Sequence, residues 1–168
     1  MIHNFPPGLI MVLGALLLPF LGQRLSAWGA LVLSSLSLFA FWTTPDLHAV
    51  TLNLFGQDLN IVRIDRWSWI FGLVFHLAAI TASIYALHVK DTKQHVAGMI
   101  YAGSAIAACC AGDLITLFVC WELTAVSSVF LIWANGTETA YRSGMRYLII
   151  QVTSGVLLLS GAIIHFQQ

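Results

Sequence analysis

Residues 113 to 133, DLITLFVCWELTAVSSVFLIW, are an apolar run with one carboxylate, Glu122, near the middle. At about 1.5 Å rise per residue the run is roughly 30 Å long, the thickness of a bilayer's hydrocarbon core. Glu122 then sits about 13 Å from Asp113, close to the midplane. No water reaches that depth, so backbone polar groups must be satisfied within the segment and the run is expected to be a helix. An ionisable side chain there is costly and marks a functional site by default. The plainer alternative is a protonated Glu that ties two helices together.

The rest of the chain has the same character. Of 168 residues, 59% are hydrophobic and 8% are charged, against about 25% charged in a soluble domain. The chain reads as an integral membrane protein. Seven basic residues balance seven acidic ones, and nothing points to nucleic acid. The N-terminal Met-Ile-His-Asn lacks the basic region of a cleavable signal peptide. Cys109, Cys110 and Cys120 lie inside apolar runs without metal-ligand spacing, so they read as small apolar side chains. No metal site and no cofactor is expected.

Hydropathy and breakers predict one membrane domain over residues 1–168, an all-α protein of six transmembrane helices. The spans are about 5–21, 25–42, 67–87, 96–111, 114–134 and 140–166. Pro6 and Pro7 suit a helix start, Pro19 should bend or fray its end, and Gly22-Gln23-Arg24 closes it. Between helices 2 and 3, about 49–63, apolar and polar residues alternate on either side of Gly56-Gln57. That pattern predicts a β-hairpin, too polar for lipid and so placed on a membrane face. The fourth span is rich in Ala, Gly and Ser, which permits close backbone approach inside a bundle. Gly112-Asp113 makes a tight turn into the fifth. With six spans, Arg24, Lys90, Lys93, Arg142 and Arg146 share one side and Arg63 and Arg66 the other. The positive-inside rule then puts both termini and the hairpin on the non-cytoplasmic side.

On its own helix Glu122 has only Phe118, Val119, Ala125 and Val126 at three- and four-residue spacing. Thr116, Cys120, Thr124 and Ser127 form a separate polar stripe, roughly opposite at about 100° per residue. The stripe is a candidate proton path, or ordinary hydroxyl glue between helices. His76, halfway along the third span, is the one mid-depth base that could meet Glu122; a locally satisfied neutral His is the alternative. His165 reads as interfacial. These residues give a proton-loading group without the second charge that directed transport needs, which points to a partner subunit or a continuing chain.

The wording is familiar. Asp113-Leu114, the run Leu117-Phe118-Val119-Cys120-Trp121-Glu122-Leu123, then Ser127 to Ile132 and Arg142 to Leu148, resembles the antiporter-like subunit family. That family covers the D and A subunits of multisubunit Na+/H+ (Mrp-type) antiporters, the large membrane subunits of NADH:quinone oxidoreductase, and membrane-bound hydrogenase relatives. The likeness is nearest to the antiporter D subunit, in its N-terminal part. It implies about fourteen helices in two inverted repeats around a mid-membrane site. It also implies that Glu122 is the fifth-helix glutamate that pairs with a lysine on a broken seventh helix. The present sequence stops after the sixth, so another chain is expected to supply the missing helices and lysine. Protons, with Na+ or K+, would be the transported ions, in the inner (plasma) membrane. The alternatives are a proton-pumping subunit of a redox complex, whose redox chemistry lies elsewhere, and a structural subunit without transport.

Overall fold

The structure is a computed structural model that describes residues 6–43, 49–54 and 57–166. Six α-helices and one two-stranded sheet follow in order: α1 (Leu9–Ala15), α2 (Gly22–Trp42), β1 (Ala49–Leu54), β2 (Gln57–Arg63), α3 (Arg66–Tyr85), α4 (Thr92–Cys109), α5 (Leu114–Trp133) and α6 (Glu138–Phe166). Short 3-10 turns lie at Leu18–Leu21 and Ala86–His88.

The first span differs most from expectation. Instead of one helix over 5–21, α1 closes at Ala15 and a 3-10 turn follows, with Pro19 in its first positions. A proline ring clashes with the carbonyl four residues back, here that of Ala15, so α-helix cannot run through it. Leu16 and Leu17 accordingly bond three residues back, to Leu13 and Gly14. Residue 5 lies outside the described residues. The chain reverses at Gly22, whose φ of +75° favours glycine. A Cβ on Gly14 would touch Leu33, and one on Gly29 would touch Leu18, so α1 and its 3-10 turn lie antiparallel to α2.

The starts of α2, α4 and α6 move by a few residues, those of α4 and α6 onto side-chain caps. α2 begins at Gly22 rather than 25. α4 begins at Thr92 rather than 96, because the Asp91 carboxylate accepts from the Lys93 amide. α5 has Asp113 as its cap, bonded to the Thr116 amide at 2.7 Å. α6 begins at Glu138, with the Thr137 hydroxyl accepting from Ala140. In the hairpin Leu54 pairs with Gln57, so Gln57 belongs to a strand and not to the turn; residues 48, 55 and 56 lie outside the described residues. The ladder slips at Val50/Thr51.

Four stretches are long and apolar enough to cross a membrane: Leu18–Trp42, Arg66–His88, Leu114–Trp133 and Glu138–His165. Given the reversal at Gly22, the first of these is α2. α1 is only seven residues long. α4, at 18 residues, starts with the polar turn Thr92-Lys93-Gln94-His95. Among the described residues six helices are therefore present, of which four meet the length and hydropathy of a span.

α4 is the hub, packed against α1, α2, α3 and α5, as its small residues foretold. The core joins Met11, Ala15 and Leu18 to Ala30, Ala79, Met99 and Ile106. Hydroxyl pairs stitch the helices: Ser34 to Ser83 at 3.1 Å, and Ser26 to Thr92 at 3.3 Å. The hairpin caps one end of the bundle. Its Arg63 amide donates to the Cys110 carbonyl at 2.8 Å, and Val62 and Ile64 pack on Phe41 and Cys110. α5 and α6 form an outlying pair, joined to the rest mainly through the α4–α5 contact and also where α5 meets β2.

At the entrance to α3 the Ser68 amide and hydroxyl each donate to Asp65 Oδ1 at 2.8 Å, and Arg63 lies 3.6 Å away. These bonds, the Ser68 amide's above all, hold the Asp65 carboxyl below its ordinary value of 3.8. Its contribution to the helix start is complete above that value and disappears as pH falls through the lowered one. Amide exchange at Ser68 should stay protected from neutral pH down to 3.8 and rise only in stronger acid.

Candidate functional site

Glu122 is the ninth residue of the twenty-residue α5. It lies about 12 Å along the axis from Leu114 and about 16 Å from Trp133. Its side chain turns towards α6 and ends on Gly155. A Cβ on Gly155 would lie 2.6 Å from the Glu122 carboxyl carbon and would overlap its Oε1. Oε1 is buried and has no hydrogen-bond partner among the described residues. Among the described residues no cation pairs with Glu122; the ion pairs found there are Arg63–Asp65 and Arg142–Glu138, both at the surface.

Gly155 can receive the carboxyl because of how α6 is written. Ala140, Gly144, Gly155 and Ala162 are buried on one face. Gly144 and Gly155 are eleven residues apart, three turns, so they share that face. Gly144 receives Trp133, whose Nε1 donates to the Tyr141 carbonyl at 3.3 Å. A glycine inside a helix costs about 1 kcal/mol against alanine, and here it opens a notch. Gln151, half-buried, is one turn from Gly155 on the same face.

A carboxyl at this depth that meets only a glycine of the next helix is a functional-site candidate by its position.

The other candidate residues lie elsewhere. His76 is fully buried between α2 and α3. Its Nδ1–H donates to the Gly72 carbonyl at 2.7 Å, and Nε2 meets the Ser37 hydroxyl at 3.0 Å. The ring stacks on Phe41 with centroids 5.0 Å apart. Both ring nitrogens are therefore occupied within the α2–α3 contact, and the ring makes no bond to Glu122. Thr116 lies in the first turn of α5, its hydroxyl donating to the cap, Asp113, at 2.9 Å. Thr124 faces α4 and meets Ser104 at 2.9 Å. Ser127 bonds back to the Leu123 and Thr124 carbonyls. Thr124 and Glu122 thus sit on different sides of α5, Thr124 against α4 and the acid against α6. His165 lies near the end of α6. Gly155 and Ser104 are neighbours of Glu122 and Thr124 that sequence reasoning missed. Interior glycines at an eleven-residue spacing were the signal for the first, since a glycine kept inside a helix usually has a packing reason.

Part of the chain is similar to known proteins. Residues 111–168 match the family model described as NADH:quinone oxidoreductase/Mrp antiporter, transmembrane. Over that segment the chain is similar to the antiporter-like membrane subunits. A protein of Staphylococcus epidermidis named as antiporter subunit mnhA2 is 32% identical over 118 residues, 65% of this chain. Its counterpart in Staphylococcus aureus strain MRSA252 is 29% identical over the same length. A Rhizobium meliloti protein, named as the probable A/B subunit of a K+/H+ antiporter, is 29% identical over 111 residues, 61% of this chain. The chain spans only 15%, 15% and 11% of the length of these three relatives. The matched segment includes all of α5 and α6, hence both Glu122 and Gly155.

The notch gives a test whose sign is unusual. In an unencumbered helix Gly→Ala gains about 1 kcal/mol. Gly155→Ala should instead lower thermal stability, because its methyl meets the Glu122 carboxyl. In a Glu122→Ala background the same substitution should stabilise. A double-mutant cycle by thermal unfolding reads the coupling, expected at about 0.5–3 kcal/mol; additive effects would mean that the two residues do not touch.

Proposed function

We propose that this chain is part of a subunit of a multisubunit cation/proton antiporter, and that Glu122 is its proton carrier. The supporting observation is a single one: a carboxyl oxygen at mid-depth in a spanning helix, buried, without donor or cation among the described residues. Buried ionisable groups in membranes pair with one another or mark ion pathways. The positive charge that completes the pair belongs to another segment or subunit, in line with the small share of the relatives' length present here. Protons and Na+ or K+ are the ions carried.

Five of the seven basic residues lie at the end where α2, α4 and α6 begin, against two at the hairpin end. We place the first end in the cytoplasm of a cell with this protein in its plasma membrane, and the hairpin outside. Thr116, Thr124 and Ser127 act as packing and capping groups in this reading; a water path along them would need their hydroxyls to leave protein partners. His76 serves the α2–α3 contact.

Purification of the full-length polypeptide with its associated subunits, then reconstitution into vesicles, tests the assignment. A Na+ or K+ gradient should drive proton movement without a redox substrate. The family description also names NADH:quinone oxidoreductase, so the competing reading is a redox-driven pump. Flavin or iron–sulfur subunits in the purified assembly, with proton flux that requires electron transfer, would establish that one instead.

A further inference from the structure

α6 packs on α5, and the residues along that seam are almost uniform in kind. From Ala140 to Ala162 the buried and half-buried residues of α6 are apolar or glycine, with one exception, Gln151. Three contacts fix how the two helices lie. The Glu122 carboxyl ends on Gly155, Trp133 ends on Gly144, and the Ser128 hydroxyl meets the Tyr147 hydroxyl at 3.0 Å. Numbers rise on one helix as they fall on the other, so the pair is antiparallel. Gln151 comes level with Ala125 and Val126 of α5.

A polar side chain in a membrane helix is usually glue, bonded straight across to its neighbour. Gln151 is not placed for that. Neither Ala125 nor Val126 offers a side-chain donor or acceptor, and the Gln151 amide makes no hydrogen bond among the described residues. Glu122 Oε1 is likewise without a partner there. The polar groups nearest to Gln151 lie up and down the seam instead. Tyr147 is four residues before it, and Gly155, the seat of the Glu122 carboxyl, is four residues after it, all on one face. Each step is about 6 Å along the axis. One water making two hydrogen bonds of about 2.8 Å each spans nearly that distance. Polar groups inside proteins end up paired, with protein or with water.

We propose that Gln151 is a positioning residue for Glu122. Across one water its amide joins the carboxyl to the Tyr147–Ser128 hydroxyl pair, and Glu122 exchanges its proton with the end of the membrane where α6 begins. An amide neither takes up nor releases a proton at ordinary pH, so Gln151 orients this chain of hydrogen bonds and carries no charge. The proton moves on water and on the Tyr147 hydroxyl, which donates on one side while it accepts on the other. This inference rests on Glu122 being the proton carrier and adds the route that serves it. Thr124, which meets Ser104 on the α4 side, lies off that route.

The test uses the full-length polypeptide, assembled with its subunits and reconstituted into vesicles. Gln151→Leu, a residue that suits an apolar seam, should assemble normally and lower cation-driven proton flux roughly tenfold. Tyr147→Phe removes a single oxygen and should lower flux as well, which keeps the test open if Gln151→Leu fails to assemble. Thr124→Val should leave flux unchanged. A packing role would not disturb the carboxyl itself, so infrared difference spectra supply a second readout. The acid C=O band that disappears in Glu122→Gln should move to higher wavenumber in Gln151→Leu, as a carbonyl does on losing a hydrogen bond, and stay in place in Thr124→Val. Wild-type flux in both Gln151→Leu and Tyr147→Phe, or an unshifted band in Gln151→Leu, would overturn the route. If Glu122→Gln abolishes flux in the same preparation, the carrier stands and only the route falls; full flux in Glu122→Gln would remove the carrier itself.

Discussion

Glu122→Gln in the full-length, assembled protein is expected to leave assembly intact and to reduce cation-driven proton flux to that of protein-free vesicles. The substitution keeps the size of the side chain and fits the same notch on Gly155. It breaks no hydrogen bond at Oε1, because none is made. What it removes is the exchangeable acid proton. A group that only joins two helices would give the opposite pattern, with altered stability and unchanged flux in whatever assembles. Flux in vesicles and thermal unfolding of the same preparation separate the two roles.

The largest effect on the fold itself should come from Gly103→Val. The start of α1 crosses α4 backbone to backbone at Gly8 and Gly103. A Cβ on Gly103 would lie 2.6 Å from the Gly8 carbonyl oxygen, 2.9 Å from Val12 and 3.0 Å from Met11. Backbone cannot rotate out of the way as a side chain does, and Gly8 is fixed at φ +85°. Valine must therefore push α1 off the hub and open the core of Met11, Ala15, Leu18 and Ile106. The cost should exceed the 1–3 kcal/mol of ordinary overpacking. Expression followed by size-exclusion chromatography should show loss of the folded species, while Gly98→Leu, on the open face of the same helix, should behave as wild type.

α5 was legible because length, hydropathy and the Asp113 cap all agree over Leu114–Trp133. The hairpin was legible because alternation survives even with a slip at Val50/Thr51. The start of α4 was misplaced by weighting hydropathy above capping: Asp91, with Gln94 three residues on, is a start signal present in the sequence. The broken first helix was harder. Pro19 announced a defect, but the left-handed Gly8 answers to Gly103, ninety-five residues away, which no local pattern reveals.

The site divides in the same way. That Glu122 lacks a partner on its own helix followed from spacing alone. The angle between Thr124 and Glu122 set them on different faces of α5, and the groups they meet are Ser104 of α4 and Gly155 of α6. The seat of the carboxyl was not foreseen, since it is a glycine and offers no chemistry to recognise. Nor could spacing place His76, whose nitrogens are taken by Gly72 and Ser37.

The central claim is an acid sheltered in the membrane and able to take and give a proton. Carbodiimides modify protonated carboxyl groups, and their solubility reports where the group lies. Lipid-soluble dicyclohexylcarbodiimide should label Glu122 in the assembled protein and stop flux in proportion, while a charged, water-soluble carbodiimide should leave Glu122 unlabelled. Labelling of Glu122 by the water-soluble reagent, or full flux after complete labelling by the lipid-soluble one, would contradict the account.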